Sequence, residues 1–146
     1  MPKDAIVVMA VTSKDLYPHP QWNYVFGLAS YKRRVGVSSL FRYMRTNKQK
    51  ALERFIKTAS HEVGHMFSMA HCTNAVCLMN GVNSLVEADP IPNRLCSECM
   101  NKLSWNLKLD NKARFMALMG YFQQNQMLSD YKVTAKDLCL LENNCK

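Results

Sequence analysis

Apolar residues first gather in short runs and then begin to recur at helical spacing, so the front of the chain reads as strands and the rest as helices. Ala5 to Val11 is unbroken apolar sequence and predicts a buried strand. Tyr24 to Ala29 and Val35 to Tyr43, rich in aromatic and β-branched residues, predict two more. Between the first two, Lys14 to Gln21 with Pro18-His19-Pro20 reads as a loop, and His19 as an ordinary loop histidine. From about Lys48 to Phe67 the period lengthens. Leu52, Phe55, Ile56, Ala59, Val63 and Met66 recur at helical spacing and form an apolar stripe centred near Ala59. Asn80 to Arg94, broken by Gly81, Pro90 and Pro92, predicts a loop. Asp110 predicts the N-cap of a closing C-terminal helix whose Phe115, Leu118, Met119 and Phe122 face the core. Lys132 to Lys146 carries no pattern and is a candidate tail, and the chain shows no repeat. The order predicts an α+β fold in which a small twisted sheet packs on one long helix. With 146 residues, 48% of them hydrophobic, the chain can bury one core, so a single domain over residues 1–146 is expected.

The long helix carries chemistry on its polar side. At about 100° per residue, His61 and His65 project about 40° apart and lie roughly 200° and 240° from the stripe centre. The helix can therefore pack on the sheet and present both imidazoles to a cleft. Two histidines one turn apart with Glu62 after the first match the zinc-protease arrangement, in which the carboxylate is the general base. His71 is six residues past His65 and cannot share its face, so the chain must turn sharply near Ser68 to bring a third imidazole to the same ion. Three neutral imidazoles would leave a fourth position for water. The bland readings are a chance match on a core helix and, for Glu62, a surface carboxylate that supports the helix.

A second set follows at once: Cys72-x4-Cys77-Leu78-Met79, then Cys96-Ser97-Glu98-Cys99. Four soft thiolates in two close pairs suit a closed, structural zinc site, which would also hold the breaker-rich loop between them. The ordered set of histidines, Cys-x4-Cys-x-Met and Cys-x-x-Cys resembles the archaemetzincins, zinc-dependent proteases of the metzincin type. Asp15-Leu16-Tyr17-Pro18, Trp22-Asn23-Tyr24-Val25-Phe26-Gly27 and Ser39-Leu40-Phe41-Arg42-Tyr43 extend the resemblance over about residues 4 to 108. It implies a metzincin-like fold, a peptide or protein substrate, and for Met79 the Met-turn role, its side chain beneath the histidine-bound metal. The bland reading of Met79 is a core gap-filler. Two departures stand out. Metzincins carry glycine where this chain has Ser68, at a turn needing positive φ, which could displace His71. Relatives of this type also have a strand and a helix ahead of the segment that starts here near Asp4, so the chain reads as N-terminally short.

The resulting expectation is a zinc metallopeptidase with two zinc ions. His61, His65 and His71 would hold a zinc that acidifies water and polarises the scissile carbonyl, with Glu62 moving the proton. Cys72, Cys77, Cys96 and Cys99 would hold the other. Since Cys72 follows His71 directly, the structural site would help fix the third catalytic ligand. The alternative is a non-catalytic, zinc-stabilised module whose basic surface recruits an acidic partner or nucleic acid; a further rival, a DNA-tethered protease of the WLM type, lacks the cysteine pattern. The net charge of +8 suits such partners, but Lys32-Arg33-Arg34 and the basic residues scattered over 42 to 57 form no long run and read as solvated surface. The apolar run near the N-terminus makes a poor signal peptide, and no stretch approaches the ~18 apolar residues of a membrane span. Paired thiolate spacing predicts a reducing, cytoplasmic setting, with Cys139 and Cys145 as ordinary thiols near the tail.

Overall fold

The computed structural model describes residues 2–143. Three strands, β1 (Val8–Thr12), β2 (Gly27–Ser30) and β3 (Val35–Ser39), form one mixed sheet in the order β1-β3-β2. β1 runs parallel to β3 with Val8 opposite Val35, and β2 runs antiparallel to it with Gly27 opposite Ser38. All three predicted strands exist, each shorter or shifted. β1 starts three residues later than the apolar run and is half-exposed rather than buried, with Val11 53% exposed, because it is an edge strand. β3 stops at Ser39, where the Ser39 hydroxyl turns back to the Lys14 carbonyl and takes a bond from Phe41 N. The bidentate Arg42–Asp15 pair, stacked over Tyr24, then ties this corner to the loop leading into β2.

Helix α1 (Lys48–Met66) packs on β2 and β3. Asn47 caps it by accepting from Lys50 N at 2.8 Å. Its sheet-facing row is Thr58, Glu62 and Met66: Thr58 bonds the buried Tyr43 hydroxyl at 2.7 Å, and the other two lie against Gly27 and Gly36. The stripe read from sequence is rotated from this row, and Leu52, Phe55, Ile56, Ala59 and Val63 are only half-buried. Burial instead falls on Glu62, Gly64 and Met66.

The rear is more helical than its sequence suggests. The loop between the cysteine pairs holds one helical turn, α2 (Leu85–Ala88), capped by Ser84. A helix absent from the sequence reading, α3 (Ser97–Leu107), follows its N-cap residue Cys96. α4 (Asn111–Gln124) starts where expected, Asp110 accepting from Lys112 N and Ala113 N, and buries Phe115 and Phe122. The expected tail is largely a helix, α5 (Leu128–Leu141), folded back on α4. Its Asp137 takes a bidentate bond from Arg94 at 2.6 and 2.8 Å, which anchors the approach to Cys96. Cys139 is disulfide-bonded rather than an ordinary thiol. Cys145 lies outside the described residues.

Candidate active site

At the end of α1 the chain turns as the histidine spacing demands. Ser68 takes φ 64°, Ser68 N bonds His65 O at 2.9 Å and Met69 N bonds Gly64 O at 3.1 Å, which is a Schellman closure. The left-handed residue costs a serine about 1 kcal/mol relative to glycine, yet the motif closes and His71 reaches the helical histidines. The donor nitrogens of His61, His65 and His71 all lie within 4.8 Å of one another, and His61 Nε2 and His65 Nε2 are 3.0 Å apart. Zn–N bonds of about 2.0–2.1 Å in a tetrahedron require nitrogens about 3.3 Å apart, so these residues fit one zinc ion. Each helical imidazole is aimed by its other nitrogen: His61 Nδ1 bonds the Leu78 carbonyl at 2.8 Å and His65 Nδ1 the Met69 carbonyl at 2.7 Å. Donation to a carbonyl places the proton on Nδ1 and leaves Nε2 as the free electron pair.

Small residues make room for the larger ones. A Cβ on Gly27 would meet Glu62 Cγ at 2.7 Å, and one on Gly81 would meet His71 Nδ1 at 2.9 Å. The Met79 sulfur occupies the space a Cβ on Gly64 would need. Met79, fully buried, thus lies against the helix between His61 and His65. Glu62 is 7% exposed, which rules out the surface-carboxylate reading. Burial alone pushes its carboxyl up to about 7. Burial also pushes His61 down to about 4, and His71 is lowered by burial and by the charge of His65. Such shifts keep imidazoles neutral, the form in which they bind metal. A cleft of about 550 Å³ opens over these groups between β2 and the 78–91 segment.

The four cysteines converge beside it. The sulfurs of Cys72, Cys77, Cys96 and Cys99 all lie within 4.8 Å of one another, with Cys72 Sγ and Cys96 Sγ 3.7 Å apart. Zn–S bonds of about 2.3 Å require sulfurs about 3.8 Å apart, so a second zinc fits here. Cys77 Sγ accepts from Cys96 N at 3.2 Å and Met79 N at 3.5 Å, bonds that favour thiolate over thiol. Backbone hydrogen bonds at Asn74 and Ala75 lower Cys72 to about 7, whereas burial raises Cys77 and Cys99. The sequence reading missed the residues that shape both sets: Gly27, Gly64 and Gly81 as gaps, and Asn80. Only the Cys-x-Met-Asn-Gly adjacency offered any signal for the last two of these.

A mixed sheet is backed by a helix with two histidines, a turn returns a third, and four cysteines gather beside them, two donor sets that could each hold a metal ion. Residues 3–105 match peptidase family M54, and the chain belongs to that family, the archaemetzincins. It is 36% identical to archaemetzincin-2 of Pongo abelii, over 82% of this chain and 42% of the relative. The crystal structure of an archaemetzincin from Methanopyrus kandleri superposes with a TM-score of 0.68 at 37% identity, covering 75% of this chain and 60% of that one. A protein from Methanocorpusculum labreanum described as a zinc-dependent peptidase superposes with a TM-score of 0.61 at 31% identity, over 66% of this chain and 53% of that one. The chain thus spans under half the length of the Pongo relative and under two thirds of the matched structures. Among the described residues, no helix is long and apolar enough to cross a membrane.

Proposed function

We propose that this chain hydrolyses peptide bonds, with His61, His65 and His71 as ligands of one zinc ion and Glu62 as the general base. Zinc held by three imidazoles with a position left for water supplies a Lewis acid and a water acidic enough to react near neutral pH. The observation that carries the reading is the burial of Glu62 in the cleft beside the converging histidines, where a carboxylate has no packing reason to be. Gly27 packs against that carboxylate and fixes its position, so that it can take a proton from the attacking water and deliver it to the leaving amine. β2 bonds β3 on one side only, and its other edge, bordering the cleft, offers backbone groups to an extended peptide laid beside Glu62.

In the same reading Cys72, Cys77, Cys96 and Cys99 hold a second, structural zinc, Met79 is the residue beneath the histidine set, and residues 1–146 form one domain. The four cysteines gathered as one ligand set support a reducing setting such as the cytoplasm, while the disulfide at Cys139 weighs against it. Paired variants test the assignment. Glu62→Ala should keep zinc and abolish cleavage of any peptide the wild type cuts, and His65→Ala should lose both. Loss of zinc from Glu62→Ala as complete as from His65→Ala would remove the general-base role.

A further inference from the structure

Asn80 stands where the two donor sets meet. Its carboxamide makes three hydrogen bonds: Oδ1 accepts from Cys77 N at 2.8 Å, and Nδ2 donates to the carbonyls of Cys72 at 2.7 Å and Ala75 at 2.9 Å. With Cys72 N donating to Met79 O at 2.8 Å, these bonds close residues 72–80 into a tight knuckle. All three go to the cysteine segment, yet the neighbours of Asn80 in sequence serve the histidines. Leu78 O, two residues earlier, receives the His61 Nδ1 bond, and Met79 fills the space beside Gly64. Gly81, the next residue, leaves the gap in which the His71 ring lies. The register of this short stretch therefore sets His61 and His71 together.

We propose that Asn80 is a positioning residue that couples the cysteine knuckle to the histidine site and thereby sets the affinity of that site for zinc. The inference rests on the proposed reading of the three histidines as zinc ligands. An amide is required because the position needs one acceptor and two donors in a fixed plane, which neither aspartate nor serine provides. Groups that orient metal ligands directly are worth about 10- to 100-fold in metal affinity. Asn80 acts one step further out, so the expected loss is at the lower end, about tenfold.

The test uses Asn80→Ala and the milder Asn80→Ser in the whole chain, with cobalt(II) and zinc as probes. Thiolate-to-cobalt charge transfer reports the cysteine site, and chelator competition gives zinc affinity at the histidine site. The expected result is a charge-transfer band that still reaches full intensity at saturating cobalt, because four thiolates hold the ion even in a loosened knuckle, with zinc affinity at the histidines reduced about tenfold. A purely structural role would weaken both sites together or lower only the melting temperature, and either outcome in Asn80→Ser overturns the proposal. Should Asn80→Ala fail to fold, Asn80→Ser decides alone. Wild-type histidines that bind no zinc would overturn the functional reading and the proposal with it. Wild-type binding with both variants unchanged overturns the proposal alone.

Discussion

Gly27→Ala isolates the proposed base from the metal. A Cβ at this position would stand 2.7 Å from Glu62 Cγ, 2.9 Å from Oε1 and 3.0 Å from Cδ. Carbon atoms in comfortable contact are about 3.5–4.0 Å apart, so the carboxylate must retreat by about 0.8 Å or change rotamer. Hydrogen-bond reach spans only about 2.6–3.2 Å, which leaves less slack than that retreat. Misplacement of about 1 Å costs on the order of 100-fold in rate, so kcat should fall about 100-fold. Gly27 does not take a positive φ, so alanine adds no backbone strain, and overpacking should cost about 1–3 kcal/mol of stability. The assay pairs zinc content with the rate on a substrate found by library screening. Full activity would refute the base assignment or the tight packing of Glu62. Loss of zinc in proportion to activity would show that the glycine serves the metal instead.

Four further outcomes follow from the geometry. Purified without chelator, the chain should carry about two zinc ions, with the open histidine site exchanging faster than the closed cysteine site; elemental analysis giving at most one would end the two-site reading. Cys99→Ser should lower the melting temperature by roughly 10 °C and speed amide exchange across residues 72–103, and unchanged protection there would count against a metal held by four cysteines. Ser68→Gly should raise stability by about 1 kcal/mol while leaving zinc content unchanged, since the turn already closes; a drop in melting temperature would contradict that. Asp89 is held below the usual carboxylate value by its hydrogen bonds from Arg54 at 2.8 and 2.6 Å. It is therefore ionised in the folded chain at a pH where the unfolded chain has bound its proton. The stability it adds is whole above about pH 4 and vanishes as pH falls through the lowered folded value. Asp89→Asn should cost about 1 kcal/mol near pH 7, with wild-type and variant melting curves converging in acid; a constant gap at all pH would refute the pairing.

Local pattern made the front half and both donor sets readable. Helix α1 announced itself by period, and the six-residue step from His65 to His71 required a turn that the structure supplies at Ser68, with positive φ. Two close cysteine pairs needed only to meet. What local pattern could not carry was burial set by distant partners. Glu62 is buried because Gly27, 35 residues earlier, opens space in β2. α3 was hidden because its N-cap position is Cys96, which makes no side-chain cap bond, and because Trp105 is 85% exposed and blurs any apolar face. α5 likewise follows an N-cap residue, Met127, that makes no side-chain cap bond, after Gln126 in the left-handed region, and is fixed by the ion pair from Arg94. Asn80 looked like the first residue of a loop, and its three bonds exist only once the cysteines have gathered.

The most direct test of the account is cleavage of a broad peptide library by the zinc-loaded chain, read by mass spectrometry before and after chelation. Defined internal cuts that disappear when the histidine site is stripped and return when zinc is restored are the predicted result. A protein with zinc confirmed at both sites that cuts nothing in the library would contradict the claim that this chain is a peptidase.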